Sequence, residues 1–221
     1  MHAILIPVKD LSRAKQRLAG TMPQAERTRL ARAMLNDVFA AVARMRSGIA
    51  VYVVSSDAQV LAEARARGWE CLSETAQHSE SRSVDDASRI CAARGVTALL
   101  RLPIDIPLVR AADIEAVWAA CPAAPGSVLV PSRSGSGTNA LLRTPPDLFP
   151  SHFGPGSLGK HLDEAGRRRA YARVLRNARI ALDVDDEGDL RALASRRDLG
   201  DHTAAVLRDL RIRRRSASAS S

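Results

Sequence analysis

Aromatic residues are nearly absent from this chain: three Phe, two Tyr and two Trp make up 3% of 221 residues. That leaves few rings on which unpaired bases could stack, which argues against a single-strand nucleic-acid binder. Cysteine is scarce as well. Cys71, Cys91 and Cys121 stand far apart with no C-x-x-C pair. This excludes a disulfide framework or a zinc ribbon and fits small buried residues in a reducing compartment. Long apolar runs are missing. Ala3–Val8 is too short for the apolar region of a secretory signal, and no run reaches the ~20 residues of a membrane span. The expected location is the cytoplasm, away from membranes. Lysine is the most informative scarcity: Lys9, Lys15 and Lys160 stand against thirty arginines.

What is present describes a soluble α/β domain. Hydrophobic residues are 46% and charged residues 26%, enough for one well-buried core at this length. The net charge is +9, which suits an anionic ligand without naming it. Residues 1–207 are expected to form the domain. Residues 208–221, rich in Arg and Ser, read as a disordered tail. Such a tail would also suit a phosphate-binding arm, but no recognised nucleic-acid motif accompanies it, and the acidic loops described below would repel a backbone.

The apolar runs alternate with helical stripes. Ala3–Val8 reads as a buried strand. Pro23 suits the first position of a helix, whose stripe of Leu30, Met34, Leu35, Val38, Phe39, Val42 and Met45 reads as core, with Gly48 as its terminator. Ile49–Val54 is a second strand, and Asp57 caps a helix that stops near Gly68. Glu70–Glu74 reads as a short third strand, and Thr75–Arg82, with His78, as a polar loop. Ser83 opens a helix ending at Gly95, and Thr97–Leu102 is a fourth strand. Asp113 begins a helix carrying Ile114, Val117 and Trp118. Ser127–Val130, Tyr171–Leu175 and Ile180–Val184 complete the strands. A βαβαβ start predicts parallel pairing with crossover helices.

Candidate chemistry gathers at strand ends. Leu102-Pro103-Ile104-Asp105-Ile106-Pro107 ends a strand at a proline and holds one carboxylate in a stiff loop just past the carboxyl edge of the sheet, where ligands bind in open α/β folds. Asp183 and Asp185 lie two apart at the end of another apolar run. Placed on one strand they share a face, and with Asp105 they suit a divalent metal carrying a phosphate. Asp186 or Asp189 can instead serve the helix that follows. Lys9, Arg13, Lys15 and Arg17 crowd the turn after the first strand. Retained lysines suit a phosphate clamp, although a solvated charged turn would look similar. Gly135-Ser136-Gly137-Thr138-Asn139-Ala140 matches G-x-G-x-x-A but opens no helix, so a dinucleotide fingerprint is rejected. It reads as a loop offering backbone N–H groups and the Thr138 hydroxyl to an anion, or as a plain hairpin loop. Gly154-Pro155-Gly156-Ser157 precedes a helix, with Ser157 as its N-cap and the free N–H groups as an anion site.

These motifs resemble, in order and spacing over about residues 1–195, the 2-phospholactate guanylyltransferases: Pro7-Val8-Lys9, Ala14-Lys15-Gln16-Arg17-Leu18, Leu102–Leu108, Gly137–Ala140, Phe153-Gly154 with Ser157, and Asp183-Val184-Asp185. The resemblance implies a single-domain, nucleotide-diphospho-sugar-transferase-like mixed sheet flanked by helices. It implies transfer of GMP from GTP to 2-phospholactate, phosphoenolpyruvate or 3-phosphoglycerate on the route to coenzyme F-420. It also implies Mg²⁺ on Asp105, Asp183 and Asp185, and the acceptor on Thr138, Gly154 and Ser157. Lys9, Lys15 and Arg17 would serve the GTP phosphates and catalysis, with Ser55 and Asp57 beside the nucleotide. Nucleic acid and membrane are not expected partners, and monomer and homodimer both stay open. The family's usual Gly-Leu-Asn stretch is replaced here by Ser81–Ser88. Sugar-phosphate and molybdopterin nucleotidyltransferases are the nearest alternative, but they usually begin with a Gly-rich loop, and residues 9–20 hold only Gly20.

Overall fold

A computed structural model of the chain describes residues 1–45, 48–75 and 79–218, with the backbone alone for residues 211–218. The strands are β1 (His2–Val8), β2 (Ala50–Ser55), β3 (Glu70–Ser73), β4 (Ala98–Arg101), β5 (Gly126–Pro131), β6 (Thr138–Thr144) and β7 (Tyr171–Val174). They form one sheet in the order β3-β2-β1-β4-β6-β5-β7. β1 pairs in parallel with β2 and β4, and β2 with β3. β6 runs antiparallel between β4 and β5, and β7 lies parallel to β5. The mixed sheet is the one expected. Residues Ala3–Val8 are buried without alternation because β1 is a central strand covered on both faces. The helices are α1 (Gln24–Ala43), α2 (Ala58–Arg65), α3 (Glu80–Ala93), α4 (Ala111–Ala119), α5 (Ser157–Arg167), α6 (Glu187–Ala194) and α7 (Asp201–Ser218).

Several expected boundaries move, each for a local reason. Helix α3 starts at Glu80, because Ser79 rather than Ser83 caps it by accepting from Arg82 N. Ser83 is buried inside the helix, and His78 lies outside the described residues. Helix α4 starts at Ala111. Asp113 sits in its first turn, accepts from Arg110 N at 2.9 Å and receives Arg179 through two bonds of 2.7 Å. Pro23 precedes α1 as its N-cap. Gly48, at φ +101°, belongs to the turn into β2, because α1 already ends at Ala43. Gly156, at φ +70°, is the N-cap of α5, and Ser157 is the first helical residue.

The largest corrections concern the C-terminal third. Ile180–Val184 is not a strand. It is held by separate bonds: Arg133 N to Ala181 O at 2.7 Å, Asn139 Nδ2 to Ile180 O at 2.9 Å, and Val184 N to Asp105 O at 3.0 Å. Helix α7 also runs through the expected boundary at residue 208 to Ser218, and residues 219–221 of the expected tail lie outside the described residues. Helix α7 is capped from another helix: buried Asp37 of α1 accepts from His202 N at 3.1 Å and Thr203 N at 2.8 Å. Gly200 is required there, since a Cβ would stand 2.3 Å from Asp37 Cγ.

Leu207 and Leu210 of α7 enter a cluster with Leu18, Met22, Leu30, Met34, Leu108, Leu182, Val184 and Leu193. Leu18 follows the basic turn, Leu108 follows Asp105, and Leu182 and Val184 flank Asp183. One apolar cluster thus anchors the loops that carry Lys15, Asp105, Asp183 and Asp185. Leu210→Ala should therefore cost about 2–4 kcal/mol, the range for a buried Leu truncation. Urea unfolding checks this; a loss below about 0.5 kcal/mol would mean that α7 does not brace the fold.

Candidate active site

The basic turn and both acidic loops meet at one ammonium group. Lys15 Nζ lies 2.7 Å from Asp105 Oδ2 and 3.0 Å from Asp185 Oδ1, bridging residues 90 and 170 positions away. Lys15 itself has φ +54° and ψ +47°, a left-handed conformation that is uncommon for a residue with a side chain. The two ion pairs are what hold it there. Burial alone would push the ammonium pKa down, but Asp105 and Asp185 more than offset this and raise it. Burial would likewise raise Asp105; Lys15 and Arg101 reverse the shift and hold it below the usual carboxylate range.

Asp183 behaves differently. Its carboxyl is raised by burial and by the like charges of Asp105 and Asp185, while Asn139, donating at 3.1 Å, partly opposes the rise. Asp105, Asp183 and Asp185 offer the hard oxygens that Mg²⁺ takes, and they lie near enough for Asp105 and Asp185 to act on the Asp183 carboxyl. Among the described residues no three acidic or His/Cys side chains are already drawn together as a metal cage. The Lys15 ammonium stands between two of them.

A cleft of about 260 Å³ opens from this point across the carboxyl ends of the parallel strands. Pro7 and Val8 from β1 and Val54 from β2 supply its apolar wall. Lys9, Arg13 and Lys15 supply its basic end. Arg101 also lines it, buried, with Nη1 on Asn139 O at 2.8 Å, Nη2 on Glu80, and its guanidinium 4.1 Å from the Phe153 ring centroid. Burial lowers the Arg101 pKa to about 10 against the pull of Asp105 and Asp183, so it stays cationic at neutral pH. Arg101 Nε has no hydrogen-bond partner among the described residues.

The remaining candidates form a second group beside the first. Leu158 N donates to Ser136 O at 2.9 Å, which docks the start of α5 on the 132–137 loop. Thr138 follows that loop and Ser157 opens the helix. Thr138 Oγ1 lies 3.1 Å from His161 Nδ1, and His161 Nε2 accepts from His152 N at 2.8 Å. An acceptor at Nε2 places the imidazole proton on Nδ1, so His161 donates to Thr138 and leaves the hydroxyl proton free to bond elsewhere. The segment leading to Gly154 is held by α3: Ser81 Oγ accepts from Phe153 N at 2.9 Å, and Asp85 accepts from Ser151 N. That accounts for part of Ser81–Ser88.

Not every expected residue joins. Arg17 is exposed, does not line the cleft, and acts on Asp186 at the start of α6. Ser55 accepts from Asp57 N at 3.0 Å, and Asp57 accepts from Gln59 N and Val60 N. Both are occupied in capping α2, and neither lines the cleft. Arg13 takes the place expected of Arg17. The roles of Arg101, Asn139 and His161 have no local signal, because the partners of a buried polar residue lie on distant segments.

A family model described as guanylyl transferase CofC like matches residues 2–221. The chain belongs to that family. Among its relatives is a phosphoenolpyruvate guanylyltransferase of Rubrobacter xylanophilus, 38% identical over 191 residues, covering 86% of this chain and 91% of that protein. A 2-phospho-L-lactate guanylyltransferase of Methanothermobacter thermautotrophicus is 32% identical, covering 94% and 90%. In fold the chain is similar to a structure from Desulfovibrio desulfuricans G20 described with the nucleotide-diphospho-sugar transferases, at TM-score 0.74 and 17% identity over 95% and 98% of the two chains. CMP:2-keto-3-deoxy-manno-octonic acid synthetase with CTP is similar at TM-score 0.57 and 13% identity, covering 87% and 96%. Membership makes this family member an enzyme of the nucleotidyl-transfer class. No helix among its described residues is long and apolar enough to cross a membrane.

His161 gives the domain a pH signature. Burial, then Arg143, His152, Arg101 and Lys160, lower its pKa to about 3. Between the ordinary value of 6.5 and about 3, the unfolded chain binds a proton that the folded chain refuses. Stability therefore falls on acidification, by up to about 1.4 kcal/mol per pH unit from this residue. In His161→Gln, urea midpoints at pH 7 and pH 5 should differ less than in the parent. An unchanged difference would show that His161 is not held neutral.

Proposed function

We propose that this enzyme transfers GMP from GTP to a phosphorylated three-carbon acid, with phosphoenolpyruvate the first candidate, and releases pyrophosphate. The names of the relatives support the donor and the acceptor class, and the resemblance supports a role on the route to coenzyme F-420. The observation that carries the reading is the meeting of three carboxylates and a basic cleft at one sheet edge beside the Thr138–Ser157 group.

A phosphomonoester has its second pKa near ~6 and is largely dianionic at neutral pH. It needs no protein base. A phosphate oxygen of the acceptor bonds to the α-phosphorus of GTP, the bond from that phosphorus to the bridging oxygen breaks, and pyrophosphate leaves. The cost lies in bringing two polyanions together. Lys9 and Arg13 at the cleft mouth would hold the triphosphate. Asp105, Asp183 and Asp185 would hold Mg²⁺, which supplies charge neutralisation at the reacting phosphates. Lys15, no longer needed between the carboxylates, would turn to the leaving pyrophosphate. The acceptor carboxylate would lie on Ser157 and the Gly154 N–H, with the Thr138 hydroxyl, freed by His161, donating to the same substrate.

Incubating the protein with GTP, Mg²⁺ and each of phosphoenolpyruvate, 2-phospholactate and 3-phosphoglycerate, followed by product mass, tests the reading. A GMP adduct of one acid is expected; pyrophosphate release with none would overturn it. Asp183→Asn keeps an oxygen for Asn139 and removes the charge, so turnover should fall by at least a hundredfold with an unchanged melting temperature. Ser157→Ala should raise the acceptor KM about ten- to a hundredfold, one charge-assisted hydrogen bond of roughly 1.5–3 kcal/mol, and leave the GTP KM in place. The opposite split would reverse the two subsites.

A further inference from the structure

Four acidic side chains line the cleft: Asp10, Glu74, Glu80 and Asp105. Three are engaged within the protein. Asp10 accepts from Ser12 N at 2.8 Å, Glu80 pairs with buried Arg101, and Asp105 pairs with Lys15 at 2.7 Å. Glu74 has no ion pair and no side-chain hydrogen bond among the described residues, and its side chain is half-buried. Its backbone is nonetheless fixed. Glu74 N donates to Ser55 O at 3.0 Å, extending the β2–β3 pairing by one residue.

Position adds to this. Asp105 follows β4 and Glu74 follows β3, and β1 and β2 lie between them. Three strand spacings separate the two, roughly 14 Å. That is comparable with the span of an extended nucleoside monophosphate from its phosphorus to the far edge of its base. A nucleotide with its phosphates at Lys9, Arg13 and Lys15 would lay its flat face along Pro7, Val8 and Val54 and bring the base edge to Glu74.

We propose that Glu74 selects the base of the nucleotide donor, its carboxylate accepting from both N1–H and the 2-amino group of guanine. The two oxygens of a carboxylate match two neighbouring donors on that edge. Adenine would turn the N1 lone pair toward the anion, and xanthine would turn its O2 there. Each leaves a polar group facing a charge of the wrong sign, the arrangement that gives the largest discrimination. The inference rests on the reading that the donor is a guanine nucleotide, and it adds the residue that would enforce this.

The test is kcat/KM of the full-length protein and of Glu74→Gln for GTP, ITP, XTP and ATP with the same acceptor, with thermal melts to confirm folding. The parent should prefer GTP to ITP by about tenfold or more, since inosine lacks the 2-amino donor. Glu74→Gln keeps one acceptor and gains a donor, so GTP use should fall on the order of a hundredfold while XTP use rises above the parent's. Glu74→Asp, which keeps the charge, should still prefer GTP to XTP. Unchanged GTP selectivity in Glu74→Gln overturns the inference, and so does an equal loss toward GTP and XTP in a folded variant. A parent that converts none of the four nucleotides overturns the functional reading itself, which is a separate outcome.

Discussion

The site depends on one ammonium group placed between two carboxylates. Lys15 joins the turn after the first strand to the loops after Arg101 and Ile180, and without it Asp105, Asp183 and Asp185 would share a half-buried sheet edge with Arg101 as their remaining cation. Like charges in such a place cost several kcal/mol unless a cation stands among them. The left-handed backbone at Lys15 is a measure of that demand, since the chain accepts an unfavourable conformation to deliver the ammonium. A lysine can do this and later let go. It is a compact, rotatable charge on a flexible stem, whereas an arginine fork would be fixed by its planar geometry. In a chain with thirty arginines, the choice of lysine here has a physical reason.

Precision in the site comes from behind it. Leu18, Leu108, Leu182 and Val184 bring three loops into the same cluster, closed by α7 and by Leu30 and Met34 of α1. Loops are ordinarily the mobile part of a fold. Here each has an apolar anchor within three residues of its charged group. The second half of the site is fixed by polar contacts instead. Arg101 reaches Asn139 and Glu80, Asn139 reaches Asp183, and His161 reaches Thr138. The Asn139 side chain spans the two halves, because its neighbour in sequence is Thr138.

Much of this was legible in the sequence. The strands read from apolar runs because central parallel strands are buried on both faces, and Pro103 marks where β4 must end. Asp105 and Lys15 stand out because a charge in the loop after a strand is a local signal, and Asp183 and Asp185 because they close an apolar run. What could not be read depends on distant partners. Ile180–Val184 has the composition of a strand, but its bonds go to Arg133, Asn139 and Asp105 one at a time, so no ladder forms. Asp57 as the cap of α2 is legible in the sequence; that Ser55 accepts from Asp57 N, and so is engaged with the cap, is not. The C-terminal segment looked free because five arginines dominate its composition, yet Leu207 and Leu210 are spaced to meet a cluster assembled from residues 18 to 193.

The capping of α7 by Asp37 has a temporal side. Asp37 belongs to the first helix and its partners, His202 and Thr203, to the last, so the bond joins segments made far apart in time. A ribosome releases β1, the basic turn and all three aspartates before the helix that braces them. Until α7 docks, the cluster that holds Leu182 and Val184 lacks Leu207 and Leu210. Asp105, Asp183 and Asp185 are thus all made before Leu207 and Leu210 can join the apolar cluster behind them.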